Sequence, residues 1–160
     1  MLNKALCKQT LVLILIAGAA LADPPAARVP VRAFADWRLD CTAQPCDIHT
    51  LVRGADGTEV LRLGRGPGEA PLLEVSTPLA LYLPDGLTLA IGAEPPLTLA
   101  WRTCGPTGCV AVTPLTPELR AALRREREGS ATMTLADGVP VRLGLSLVGY
   151  VAAARALAAR

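Results

Sequence analysis

The residues best suited to chemistry are four cysteines, spaced as two C-x4-C pairs: Cys41 with Cys46, and Cys104 with Cys109. Paired thiols can form a redox centre, bind a metal or close a structural disulfide. A thioredoxin-like redox site has only two residues between its cysteines, so this spacing excludes it. The spacing lies within the range of zinc ligands, and a site with four cysteines on zinc stays open as an alternative. We predict two structural disulfides, because the chain also carries a signal for export to an oxidising compartment.

Four cysteines permit three connectivities, and the residues inside each pair favour one of them. Residues 42–45 (TAQP) and residues 105–108 (GPTG) are rich in turn-forming types. A loop of this length lets the flanking cysteines face each other across a hairpin. The sequence therefore favours the local pairs Cys41–Cys46 and Cys104–Cys109.

His49 is the only histidine in the chain, so a Ser-His-Asp or Cys-His site would have to use it. In an alternating strand it shares a face with Asp47 and lies opposite Ile48, and we predict a solvent-facing side chain. A small envelope hydrolase that uses His49 or paired carboxylates is the alternative function. No residue is predicted to be catalytic, to bind a cofactor or to ligate a metal. The carboxylates that strand ends could bring together are Asp36, Asp40, Asp47, Glu59, Glu74, Asp85 and Asp137.

A predicted helix at residues 116–129 carries four arginines and three glutamates. Thr116 is a good N-cap residue and Gly129 can end the helix. Arg120 and Arg124 are four residues apart and repel each other mildly on one face. A mixed-charge face of this kind is usually solvated. The functional alternative is an interaction surface at Arg120 and Arg124 for an anionic partner, such as lipid headgroups or an acidic envelope protein.

Residues 64–68 (GRGPG) contain the glycines of a phosphate-binding loop but not its context. Such a loop is followed directly by a helix, whose first N–H groups point at the anion. Here a strand-like segment at residues 72–75 follows instead. We therefore predict a connecting loop at residues 64–68.

The charge distribution excludes a nucleic-acid binder that works through bulk charge. The sixteen basic residues include Lys4 and Lys8 near the N-terminus, and fourteen acids balance the remaining fourteen arginines. Aromatic residues make up only 3% of the chain, which leaves few platforms for stacking bases or sugars. We predict a nearly neutral mature domain that binds no nucleic acid.

The N-terminus has the three parts of a cleavable signal peptide. The two lysines form the positive region, residues 11–21 form the apolar region, and residues 20–22 (ALA) form a cleavage site before Asp23. A membrane anchor needs about 20 apolar residues, and this run has eleven. Cleavage also removes Cys7 and leaves no membrane span. The predicted organisation is a signal peptide at residues 1–22, a flexible leader at 23–35 and a single β-rich domain at 36–160.

Alternating apolar residues predict short strands along most of this domain, separated by turn-forming residues. The predicted fold class is mainly β: a compact antiparallel β-sandwich or barrel with one or two short helices. Besides the helix at residues 116–129, a short helix is predicted at residues 151–160. Strands are predicted at residues 37–41, 46–53, 58–63, 72–75, 79–83, 87–91, 97–104, 109–113, 132–136 and 139–147.

Four motifs, taken in order, resemble the invasion-associated locus B (IalB) family of exported bacterial proteins. They are WRLDC at residues 37–41, LPDGLTLAIG at 83–92, CGPTGCVA at 104–111 and LSLVGY at 145–150. The last motif ends in Tyr150, where we expect Phe. Together the motifs extend the resemblance over essentially the whole predicted mature chain.

The resemblance implies a periplasmic or cell-envelope protein of a Gram-negative bacterium, in a family named for a role in host-cell invasion and virulence. It implies a function through interaction with an envelope or host protein, without catalytic residues or a cofactor. An assembly factor of the envelope is a further alternative.

Overall fold

The computed structural model describes residues 31–66 and 68–160, and this part of the chain forms eleven β-strands and two α-helices. The helices are α1 (Pro117–Arg125) and α2 (Tyr150–Ala158), and a turn of 3-10 helix spans Leu83–Asp85. The strands are β1 (Arg32–Phe34), β2 (Trp37–Asp40), β3 (Asp47–Arg53), β4 (Glu59–Arg65), β5 (Leu72–Thr77), β6 (Leu87–Ile91), β7 (Leu97–Leu99), β8 (Trp101–Gly105), β9 (Gly108–Pro114), β10 (Glu128–Thr134) and β11 (Pro140–Ser146).

The strands pair into two antiparallel sheets, which confirms the predicted mainly β fold and selects a sandwich over a barrel. The larger sheet has the strand order β1-β2-β3-β4-β5-β9-β8, and the smaller has the order β11-β10-β6-β7. The sheets approach each other where β11 meets β3 and where β7 meets β9. Helix α2 packs against β1, β2 and β3, and α1 packs against α2 and β6.

Alternating side chains of the strands build the core between the sheets. In β2, Trp37 and Leu39 are fully buried, while Arg38 between them is exposed. The Trp37 indole N–H donates to the Ser146 carbonyl at 3.1 Å, which links the larger sheet to β11 of the smaller one. The Trp37 ring also contacts the Tyr150 ring edge-on, with centroids 5.0 Å apart. Helix α2 is therefore fixed to the core at its first residue.

The predicted strand at residues 79–83 is wrong. This segment makes one isolated bridge, at Leu81, and then enters the 3-10 turn. Pro84 has no N–H to give to a strand ladder, and the Gly86 N–H bonds back to the Leu83 carbonyl. Local turn geometry therefore overrides the alternating apolar pattern.

The predicted strand at residues 97–104 consists of two strands that belong to different sheets. β7 pairs with β6 in the smaller sheet, whereas β8 pairs with β9 in the larger one. The chain crosses from one sheet to the other at Ala100, which lies between them. Period-2 alternation does not distinguish the sheets, because both present one face to the same core.

Helix α1 begins where the sequence predicts. The Thr116 hydroxyl accepts the Leu119 N–H at 3.3 Å, and Pro117 occupies the first turn, where its missing N–H is not needed. Ala122 and Leu123 are fully buried on the face that meets the core. A cap and a short apolar stripe are therefore enough to place this helix.

The predicted end of α1 at Gly129 is wrong. The helix ends at Arg125, and Gly129 lies within β10. A Cβ atom at Gly129 would lie 2.7 Å from the Ala90 carbonyl oxygen, closer than real Cβ contacts allow. This glycine therefore permits close approach of β10 and β6, a role that strand glycines often have.

Replacing the cap residue by Thr116→Ala is expected to lower the free energy of unfolding by about 1 kcal/mol, because the first turn of α1 loses an acceptor. Urea unfolding followed by circular dichroism measures the change. Thr116→Ser is the matched control, since it keeps a capping hydroxyl and should lose much less. Equal losses in the two variants would contradict the capping role.

The flexible leader predicted at residues 23–35 is wrong at its C-terminal end, because Arg32–Phe34 form β1 and pair with β2. Residues 1–30, which include the predicted signal peptide, lie outside the described residues. The predicted connecting loop at residues 64–68 is shorter than expected, since Gly64 and Arg65 end β4. Neither described helix is long and apolar enough to cross a membrane.

Candidate functional site

The two cysteine pairs form the local disulfides that the sequence favours, Cys41–Cys46 and Cys104–Cys109, with Cα atoms 4.3 and 4.0 Å apart. The first closes the loop between β2 and β3, and both of its side chains are buried. The second joins directly opposed residues of β8 and β9, where Cys104 is exposed. Cysteines oxidised in pairs have no thiolate to offer zinc, which removes the basis of the zinc alternative.

Removing the buried disulfide by Cys41→Ala/Cys46→Ala is expected to lower the free energy of unfolding by roughly 2–4 kcal/mol. Loss of the loop constraint accounts for roughly 2 kcal/mol of this, and the lost packing of two buried sulfur atoms adds to it. Cys104→Ala/Cys109→Ala is the matched control, since it opens a loop of the same sequence separation, 5, and removes one exposed and one buried sulfur atom instead of two buried ones. Urea unfolding should show the smaller loss in the control, and equal losses would contradict the burial argument.

The prediction of a solvent-facing His49 is wrong, because this side chain is buried on the outer face of the larger sheet, with only 7% of its surface exposed. Its partner on β4 is Gly64, which has no side chain. The Arg62 guanidinium lies over that glycine, 3.1 Å from where a Cβ would be, and reaches the histidine ring. A long neighbouring side chain therefore covers a position that alternation places on the solvent side.

His49, Asp47 and Arg62 form a charged network on this face. His49 Nδ1 lies 3.2 Å from Asp47 Oδ2 and 3.0 Å from Arg62 Nη2. Arg62 also donates to the same Asp47 oxygen, and it lies 3.9 Å from a carboxylate oxygen of Glu74. In the described part of the chain, the side-chain hydrogen-bond partners of His49 are Asp47 and Arg62, and neither is a serine or a cysteine. The described residues therefore do not form the Ser-His-Asp or Cys-His arrangement considered from the sequence.

Asp40, Asp47 and His49 also bring three potential metal-ligand atoms within 4.8 Å of one another. The Arg62 guanidinium already bonds the Asp47 oxygen that a cation would need. The Asp40 carboxylate accepts the N–H and the hydroxyl of Thr42, at 2.8 and 2.6 Å, and these bonds lower its pKa. One oxygen of each of these two carboxylates therefore already accepts hydrogen bonds from the protein.

Two of the other carboxylates considered for acid–base chemistry accept hydrogen bonds in the structure. Asp36 accepts the Ser146 hydroxyl at 2.5 Å, and Asp137 accepts the Val139 N–H at 3.1 Å in the turn between β10 and β11. Asp85 belongs to the 3-10 turn. Of the carboxylates considered, the described residues thus bring Asp40 and Asp47 together, in the cluster with His49.

Arg120 and Arg124, the predicted interaction surface, lie along a groove of about 600 Å³ on the outer side of α1. Pro117, Ala121 and Arg125 complete its lining. Arg125 is held by Glu94 and Glu126, each through an N···O contact of 2.8 Å, and these acids raise its pKa. The described residues offer no such acid within 4.0 Å of Arg120 or Arg124.

Two residues that the sequence did not predict for this surface, Arg65 and Tyr150, lie near its arginines. The Tyr150 side chain is fully buried, and the charges of Arg65, Arg124 and Arg120 all act on its hydroxyl. Arg65 approaches the hydroxyl without completing a well-formed hydrogen bond. Alternation could have indicated Arg65, because it shares the core-facing side of β4 with Leu61 and Leu63. No local signal could have placed it beside Tyr150, 85 positions further along the chain.

The fold consists of two antiparallel sheets, two local disulfides within the larger sheet and two helices packed against the strands. These features define a small disulfide-linked β-sandwich. The chain belongs to the invasion-associated locus B family, because it matches the family described as "Invasion associated locus B (IalB) protein" over residues 37–158. This confirms the resemblance drawn from the four motifs.

A solved structure with the same fold is the crystal structure of invasion associated protein B from Bartonella henselae, with a TM-score of 0.72. The two chains are 20% identical, and the match covers 80% of this chain and 95% of that one. At this identity the likeness shows the fold. No curated protein matches the chain.

Proposed function

We propose that this protein is exported to the periplasm or cell envelope of a Gram-negative bacterium and acts there by binding another protein or an envelope component. The family match over residues 37–158 is the observation that carries this proposal. The two disulfides support export, because such bonds persist in oxidising compartments and are rare in the cytosol.

Export begins, in this proposal, with a signal peptide at residues 1–22 that is cleaved before Asp23. Fractionation of the native bacterium followed by mass spectrometry of the protein's N-terminus tests this step. The expected result is a periplasmic or envelope-bound protein that begins at Asp23 and has no free thiol under non-reducing denaturation. A cytosolic protein that retains Met1 and reduced cysteines would contradict it.

The proposed partner is a protein of the envelope or of the host cell, and the contact surface is the groove beside Arg120 and Arg124. These arginines have no acidic partner within 4.0 Å in the described part of the chain, so an acidic surface can bind them without displacing an existing ion pair. The family and the Bartonella protein are both named for invasion, and a host-directed role is part of the proposal.

Photo-cross-linking in living cells tests the surface. A photoreactive residue in place of Ala121, which is exposed in the groove, should yield a specific cross-linked partner. The matched control carries the same residue in place of Thr107, which is exposed in the turn between β8 and β9. An envelope partner would assign an assembly or maintenance role, and a host partner an invasion role. Equal cross-linking from both positions, or none, would contradict the proposed surface.

A further inference from the structure

We propose that three arginines and the Tyr150 hydroxyl, at the junction of α1 and α2, form a binding site for a phosphate group. The arginines are Arg65, Arg120 and Arg124. The phosphate is either a free phosphate or the phosphate monoester of a lipid headgroup. This inference goes beyond the proposed protein partner, and it rests on the proposed function only in that it uses the same groove. Its test in vitro does not depend on where the protein works in the cell.

Three cationic side chains from different elements converge at this junction. Arg65 ends β4, Arg120 and Arg124 project from α1, and Tyr150 begins α2, which packs against α1. The ion pairs of the described residues involve other cations and leave these three without a carboxylate within 4.0 Å. Like charges held together in this way repel, and a bound dianion would relieve the repulsion.

Buried polar atoms at the same place have no partner. In the described residues, the Nε atoms of Arg65 and Arg120 and the hydroxyl of Tyr150 are buried and make no hydrogen bond. Most buried polar groups in proteins are paired, and an unpaired one calls for an explanation. A phosphate supplies several acceptor oxygens, and the guanidinium fork matches their spacing. The groove itself is lined by Arg120 but not by Arg65 or Tyr150. A phosphate that entered from the groove as far as the buried hydroxyl would satisfy donors from both sides of the junction.

The Tyr150 hydroxyl is in the protonation state that the site requires. Burial raises the pKa of this hydroxyl, while the charges of Arg65, Arg124 and Arg120 oppose the rise. Because the net pKa lies above the ordinary value for tyrosine, the group stays protonated at neutral pH and can donate to an anion.

The groove along α1 gives a ligand access to the two arginines of the helix. The groove is open to solvent and is lined by residues of α1 alone, and small Ala121 lies between the arginines. Glu118 does not compete with the ligand, because it lines a different cavity, together with Leu119. Arg125 at the edge of the groove already pairs with two glutamates. The open side of the site is therefore positive.

Titration with inorganic phosphate at constant ionic strength, with chloride as the reference salt, tests the proposal by calorimetry. Arg120→Gln/Arg124→Gln should weaken phosphate binding by about tenfold or more. The matched control is Arg127→Gln, which removes an exposed charge just beyond the same helix and outside the groove, and it should change affinity by less than about twofold. Tyr150→Phe should also weaken binding, yet leave stability in phosphate-free buffer unchanged or higher, because it removes an unpaired buried hydroxyl.

Vesicles distinguish the two sources of phosphate. Phosphatidylcholine vesicles that contain phosphatidic acid are compared with vesicles of phosphatidylcholine alone. Binding to the acidic vesicles that free phosphate competes away assigns a lipid headgroup, whereas binding of free phosphate without vesicle binding assigns a soluble ligand. The proposal is overturned if the wild-type protein does not bind phosphate, or if Arg127→Gln weakens binding as much as the double variant. Loss of phosphate binding would leave export and partner cross-linking untouched, so the two proposals can fail separately.

Discussion

Replacing Trp37 by alanine is expected to lower the free energy of unfolding by about 3–5 kcal/mol, which is the range for large aromatic residues removed from a core. Trp37 is fully buried at the start of β2. Its ring contacts Tyr150 of α2, and its indole N–H donates to the Ser146 carbonyl. One side chain therefore connects the larger sheet, the smaller sheet and the C-terminal helix. A domain of this size has a marginal total stability, so the variant should be close to unfolded at 37 °C.

Two controls separate the contributions in the Trp37 experiment. Trp37→Phe keeps an aromatic ring but leaves the Ser146 carbonyl without its donor, and the expected loss is about 1–2 kcal/mol. Trp101→Ala removes the second tryptophan, which is only partly buried and whose indole N–H has no partner among the described residues. Urea unfolding followed by tyrosine fluorescence or circular dichroism measures all three variants. A loss in Trp37→Ala no larger than that in Trp101→Ala would contradict the central role of Trp37.

Replacing Gly149 by alanine is expected to lower the free energy of unfolding by about 2–4 kcal/mol. Gly149 caps the N-terminus of α2 with φ at +100°, a conformation that L side chains rarely adopt. A Cβ atom there would lie 1.7 Å from the Phe34 carbonyl oxygen, so the turn after β1 and the start of α2 would have to separate. That separation would also disturb the contact of Tyr150 with the core.

Gly138→Ala is the matched control for this second prediction. Gly138 also has a positive φ, +86°, but a Cβ atom there would meet nothing within 4 Å. The control therefore carries the conformational strain without the clash, and its expected loss is about 1–2 kcal/mol. Thermal unfolding of both variants measures the difference, and a larger loss in Gly138→Ala would show that the contact between Gly149 and Phe34 is not close.

Sequence reasoning succeeded where the signal is local. The hairpin turn at residues 55–57 connects β3 and β4, the cap at Thr116 begins α1, and alternation in β2 placed Trp37 and Leu39 in the core. Each of these features depends on residues within a few positions of one another. The sequence-based predictions were wrong where pairing with a distant segment decides which strand forms. Residues 97–104 are an example, because they divide between the two sheets.

In the candidate site, too, local signals identified some residues and only tertiary contacts identified the others. Arg120 and Arg124 could be chosen from sequence because their spacing places both on one helix face. Arg65 and Tyr150 could not be assigned to the same site, because they come near its arginines only in the folded chain, where α2 packs against α1 and Arg65 lies near the Tyr150 hydroxyl. His49 was assigned to the correct face of its strand, but its burial comes from Arg62, which belongs to another strand.

The sequence alone favours the disulfide pairs that the structure contains, because the turn inside each C-x4-C segment brings its own cysteines together. Membership of the invasion-associated locus B family can be derived in the same way, since the four motifs follow one another in order. The convergence of Arg65, Arg120 and Arg124 around one buried hydroxyl is visible only in the folded protein. The difference arises because a disulfide across a tight turn needs only local geometry, whereas a convergent charged site needs separate elements held in place by a shared core.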